Sequence, residues 1–143
     1  MPINSKELLR LARELAESPM EVKRRAAISR AYYAAYHRCF DWEKKLPLAG
    51  EDHGLRGSHE ALIARLRHPH ERCDEPAADC SRHIGERLDI QRENRVLADY
   101  KVKQQLPSRV LSEQLKLAAE VIDRCDRHDR GEGFVAAPGR TKP

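Results

Sequence analysis

One long, uninterrupted helical run constrains this chain more than any other feature. Ser18-Pro19-Met20-Glu21 reads as a helix start, with serine at the N-cap, proline at N1 and glutamate at N3. The run that follows meets its first breaker at Pro47. A helix from Ser18 to Leu46 is expected, about 28 residues and ~42 Å long. It carries two apolar stripes: Val22, Ala26, Ser29, Tyr33, Tyr36 and Phe40, and Ile28, Tyr32, Ala35, Cys39, Trp42 and Leu46. A helix with so wide an apolar face must lie at the centre of a bundle.

Its neighbours follow from the same periodicity. Leu8, Leu9, Leu11, Ala12 and Leu15 predict a helix over 5–16, with Asn4 or Ser5 as its cap. Residues 47–57 read as a loop, and Ser58 opens a short helix that Pro69 ends. A further helix is expected from Pro76 to Val102, with weaker periodicity and Gly85 in its middle. Val110, Leu111, Leu115, Ala118, Val121, Ile122 and Cys125 mark a last helix over 108–126. The fold expected is all-α: a four- to five-helix antiparallel up-and-down bundle over 1–128, with a flexible tail over 129–143.

Composition narrows the function classes. A chain of 143 residues has room for one core, and no segment holds the ~20 apolar residues of a membrane span. The N-terminus lacks the apolar stretch of a signal peptide, and the four cysteines show no disulfide spacing, so a cytoplasmic address is expected. The net charge is +4, and 19 of the 27 cationic residues are arginine. Guanidinium suits planar contact with phosphate, so nucleic acid is a plausible partner that the charge alone does not demand.

The segment Ser29-Arg30-Ala31-Tyr32-Tyr33-Ala34-Ala35-Tyr36-His37 is not required by any bundle. It resembles the S-R-x-Y-Y-A-x-F-H signature of an uncharacterised prokaryotic branch of the HEPN superfamily, with Tyr36 in place of the commoner Phe. Arg95-Val96-Leu97-Ala98-Asp99-Tyr100 resembles that branch's R-x-x-A-D-Y signature, and Gly57-Ser58-His59 falls where it has a small-polar-His element. The resemblance spans about 5–125. It implies a helical bundle, frequent homodimers, and membership of toxin–antitoxin or phage-defence loci. The partner would be a cognate antitoxin or a nucleotidyltransferase-like protein. Many such proteins are ribonucleases that need no metal or other cofactor, with a catalytic Arg followed after four to six residues by His. In the best-established of them that pattern lies near the C-terminal helix, whereas here it lies in an early one.

Arg30 and His37 fit the spacing, as do Arg65 and His70, so spacing alone carries no specificity. Positions seven apart on an α-helix differ by about 20°, so Arg30 and His37 share a face, with Ala27 and Ala34 beside them. Asp41, four residues past His37, is the expected orienter of its ring. The imidazole would move a proton while the guanidinium steadies a phosphate. The alternative is structural: Arg30 paired with Asp99, and Tyr32, Tyr33, Tyr36, Arg95, Asp99 and Tyr100 forming an internal network or a dimer interface through the small-residue face. Tyr32, Tyr33, Tyr36 and Trp42 could also stack on bases, and Lys23-Arg24-Arg25 could meet phosphates. His68, His70, Cys73 and Cys80 have the ligand types of a zinc site but no standard spacing.

Overall fold

The computed structural model describes residues 3–132 and contains five helices. They are α1 (Ser5–Ala16), α2 (Glu21–Glu43), α3 (Ser58–Arg67), α4 (Glu75–Tyr100) and α5 (Ser108–Asp129). There is no strand among the described residues. The chain is an all-α bundle, and no described helix is long and apolar enough to cross a membrane.

Local chemistry explains the boundaries. Asn4 caps α1, its side chain accepting from Glu7 N at 2.9 Å. The expected box at Ser18 does not cap α2. Ser18 Oγ accepts from Met20 N at 3.1 Å, closing a turn one step early, and Met20 becomes the N-cap. Asp74 caps α4 through Ala77 N at 2.8 Å, with Pro76 in the first turn. α5 reaches Asp129, beyond the expected end at 126, and residues 133–143 of the expected tail lie outside those described.

Side-chain pairings give the helix directions. Arg25 reaches the carbonyls of Leu97 and Ala98 while Tyr33 meets Arg95, so α2 and α4 are antiparallel. Gln91 and Gln114, then Arg87 and Glu120, make α4 and α5 antiparallel. Ile28 meets Gln114, Arg38 meets Asp126 and Trp42 meets His128, so α2 and α5 run the same way. α3 also runs with α2, since Tyr32 meets His59 and Glu43 meets Arg65. That parallel course is why the α2–α3 connection must travel back along the bundle. Its Gly50 lies under the end of α3, where a Cβ would sit 2.1 Å from Arg65 O.

The core is built of Ile28, Tyr32, Trp42, Leu62, Leu66, Ile84, Leu88 and Val121, closed by the alanines of α2. α2 packs on α1, α4 and α5, and α4 packs on α2, α3 and α5. A helix with three neighbours buries several faces, which is why α4 reads as poorly periodic. Arg25 is also inside. Its guanidinium donates to the carbonyls of Leu97, Ala98, Lys101 and Gln104, gathering the end of α4 and the following turn. It is therefore not part of a surface basic run with Lys23 and Arg24.

Candidate functional site

The site forms where the middle of α2 meets the start of α3 and the second half of α4. Arg30 and His37 do share a face, as their spacing requires, and Tyr33 stands between them. The Arg30 Cζ lies 5.3 Å from the Tyr33 ring centre, and the His37 ring stacks on the same tyrosine with centroids 6.2 Å apart. Arg30 has no carboxylate within ion-pair distance among the described residues, and His37 is exposed. Both side chains are thus available to a ligand.

The expected orienter is elsewhere. Asp41 pairs with Lys44 at 3.6 Å instead of bonding the His37 ring. Arg30 does not pair with Asp99 either. Asp99 is taken by Arg95 Nε at 2.8 Å and accepts from Ser29 Oγ at 3.1 Å. Arg95 also donates to the Tyr33 hydroxyl at 3.0 Å, and its guanidinium lies over the rings of Tyr33 and Tyr100. The residues of the two expected signatures therefore do meet, as Ser29–Asp99 and Tyr33–Arg95. The small-residue face does not reach the surface: Ala27, Ala31 and Ala34 are fully buried.

α3 adds a second imidazole. His59 lies 2.7 Å, through Nδ1, from the hydroxyl of the fully buried Tyr32. Its ring stacks on Tyr36 at 4.1 Å and meets Tyr33 edge-on at 5.9 Å. Burial lowers the His59 pKa below the usual imidazole range, and Arg95, Arg92 and His37 push it the same way. Burial raises the Tyr32 pKa and keeps the phenol protonated. Arg92 is held by Glu60 at 2.6 Å. Tyr36 continues the aromatic row to Phe40, which is 38% exposed and carries Lys44 Nζ over its ring at 4.4 Å. Of these groups, sequence reasoning missed Arg92; the only available signal was its position three residues before Arg95 on one helix face.

Behind His37 lies an open groove of about 760 Å³ between the start of α1, α2 and the end of α5. Its charges are largely satisfied within it. Arg38 bridges Asp126 and Asp129, and Lys45 adds a bond to Asp129 at 2.8 Å. Burial raises the Asp129 pKa, but the hydrogen bonds from Lys45 and Arg38 outweigh it and hold the carboxylate low.

The four zinc-type residues do not assemble. Cys80 is in the core, its thiol pushed up to about 12 by burial. His68 Nδ1 lies 2.9 Å from Ala64 O, His70 Nδ1 accepts from Arg72 N, and the Cys73 thiol faces Leu48 O. No group of three His, Cys, Asp or Glu among the described residues could hold a metal. Cys39 and Cys125 are buried core residues, and the neighbouring Cys39 together with burial pushes the Cys125 thiol well up. Comparison with family models, curated proteins and solved structures finds no match for this chain.

Proposed function

We propose that the chain is a HEPN-like ribonuclease of a prokaryotic toxin–antitoxin or phage-defence system, acting in the cytoplasm without a metal. The observation that carries this reading is that Arg30 and His37 flank Tyr33 on an accessible face, neither tied to a carboxylate, beside three further cationic or imidazole groups. The catalytic residues are Arg30 and His37. Asp41 has no orienting role in this reading, because its partner is Lys44.

The chemistry is transfer within the RNA. His37 takes the proton of a 2′-hydroxyl as its oxygen attacks the adjacent phosphorus. Arg30 stabilises the charge that gathers on the phosphoryl oxygens. The bond from phosphorus to the 5′-oxygen breaks, and the imidazolium returns its proton to that oxygen. The products are a 2′,3′-cyclic phosphate and a 5′-hydroxyl. The test is cleavage of tRNA and mRNA in EDTA. Wild type should cut, and His37→Ala and Arg30→Ala should lose at least 100-fold in rate. Cleavage that survives both substitutions would refute the assignment.

A second reading is favoured by one feature. Tyr33, Tyr36 and Phe40 form a row of rings reaching the surface, apolar enough to seat a second copy or a nucleotidyltransferase-like partner. In that reading the chain is a non-catalytic interaction module, and the row replaces the buried alanines as its contact face. Phe40→Glu would then dissociate the assembly in size-exclusion chromatography, and unchanged elution of an oligomeric wild type and its variant would refute it.

A further inference from the structure

We propose that His59, Arg92 and Arg95 form a phosphate-binding subsite in which His59 serves as a hydrogen-bond donor through Nε2, with Tyr32 as the positioning residue that fixes its tautomer. The ligand class is a phosphodiester of a single-stranded nucleic acid. The inference rests on reading this face as a nucleic-acid site, and it divides the work between the two imidazoles.

The argument begins with Tyr32. Its hydroxyl is buried and needs an acceptor, and the partner at 2.7 Å is His59 Nδ1. A phenol that stays protonated donates there, so Nδ1 accepts. A neutral imidazole that accepts at Nδ1 carries its proton on Nε2. The ring nitrogens face in different directions, so with Nδ1 turned to the core, Nε2 is turned away from it. The ring cannot swing freely, because it is stacked on Tyr36 at 4.1 Å and on Tyr32 at 5.5 Å. His59 is therefore poorly suited to accept a proton from a substrate and well suited to donate to an oxyanion.

The surroundings favour an anion. The groups that act on His59 are Arg95, Arg92 and, when it carries a proton, His37, and each opposes placing a positive charge on the ring. Each arginine is engaged through some of its nitrogens: Arg92 Nη2 by Glu60, and Arg95 Nε by Asp99 and Nη2 by the Tyr33 hydroxyl. A guanidinium has five N–H groups, so each keeps donors for a further oxygen. An anion seated there would relieve the repulsion and, by linkage, raise the pKa of His59.

The test uses a single-stranded oligonucleotide with 2′-deoxy sugars throughout, which cannot undergo the 2′-hydroxyl reaction. Binding is read by fluorescence anisotropy for wild type, His59→Ala and His59→Gln. Alanine should weaken binding about tenfold, and glutamine, which keeps a neutral N–H donor, should stay within about threefold of wild type. Equal binding by His59→Ala and wild type overturns the subsite, as does no binding by wild type. In case the variants fail to fold, nitrogen-15 NMR of wild type gives an independent reading. It should find the Nε2–H tautomer at neutral pH, and a His59 titration midpoint that rises when inorganic phosphate is added. An Nδ1–H tautomer overturns the proposal. The two readings can fail separately. A protein that binds through His59 but cuts no RNA refutes the ribonuclease alone, and one that cuts RNA with His59→Ala binding normally refutes the subsite alone.

Discussion

Gly85→Ala should destabilise the protein, although helix propensity alone predicts the opposite. In the middle of a helix, alanine is favoured over glycine by about 1 kcal/mol. Here α3 crosses α4 at Gly85, and a Cβ would lie 2.9 Å from Leu66 Cβ, 3.0 Å from Arg67 Cγ and 3.0 Å from Arg67 N. Arg67 Cγ belongs to a flexible side chain and can yield. Leu66 Cβ and the Arg67 amide move only if α3 moves. Overpacking costs roughly 1–3 kcal/mol, and two unyielding neighbours place this site in the upper part of that range, at about 2–3 kcal/mol, so the net loss should be about 1–2 kcal/mol. For a chain of this size that lowers Tm by about 2–8 °C. Differential scanning calorimetry reads it directly. The shift of α3 carries His59, so chemical shifts of the His59 ring should change as well. An unchanged or raised Tm would refute the close approach of α3 and α4.

Arg25→Met should cost roughly 2–4 kcal/mol by urea denaturation, because it strips the charged donor from four carbonyls at the end of α4; a loss below 0.5 kcal/mol would contradict that role. Acidification should destabilise the fold through His83, whose pKa is pushed down to about 4 by burial first and then by Arg87 and Arg124. Since the folded pKa lies below the ordinary 6.5, the unfolded chain takes up the proton first. Stability is full above pH 6.5 and falls between 6.5 and 4, by roughly 1–2 kcal/mol after allowance for its partial exposure. His83→Gln should flatten that part of the urea-midpoint profile against pH, and an unaltered slope would assign it to other groups. Tyr32→Phe should leave the ring packing in place but release His59 Nδ1, so the NMR of His59 should report a mixture of tautomers; a tautomer unchanged from wild type would place its control elsewhere.

Much of the helical framework was legible in local chemistry. α1 occupies the expected residues because one amphipathic stripe and one capping asparagine act together. The N-cap of α2 lies two residues beyond the expected Ser18, because Ser18 Oγ bonds Met20 N instead of the N3 amide that a capping box requires. The shared face of Arg30 and His37 follows from helical geometry alone. What occupies the space between and around them does not. Tyr33 separates the pair, Lys44 claims Asp41, and Asp99 is taken by Arg95 and Ser29, all matters of rotamer choice and tertiary approach. The inward turn of Arg25 was equally hidden, because Lys23, Arg24 and Arg25 are alike in sequence and differ only in what lies opposite. The alanines beside Arg30 and His37 read as a docking face because small residues permit close approach, and here the approaching surfaces are the chain's own helices.

RNA cleavage in EDTA tests the central claim most directly, with the ends of the fragments identified. Wild type, His37→Ala and a lysine variant, Arg30→Lys, are compared at matched melting temperatures on end-labelled tRNA and mRNA. The account predicts discrete cuts by wild type that leave 2′,3′-cyclic phosphate and 5′-hydroxyl ends, a loss of at least 100-fold in His37→Ala, and a smaller loss in Arg30→Lys. Cuts that His37→Ala makes as fast as wild type, or an absence of cuts by folded wild type, would contradict it.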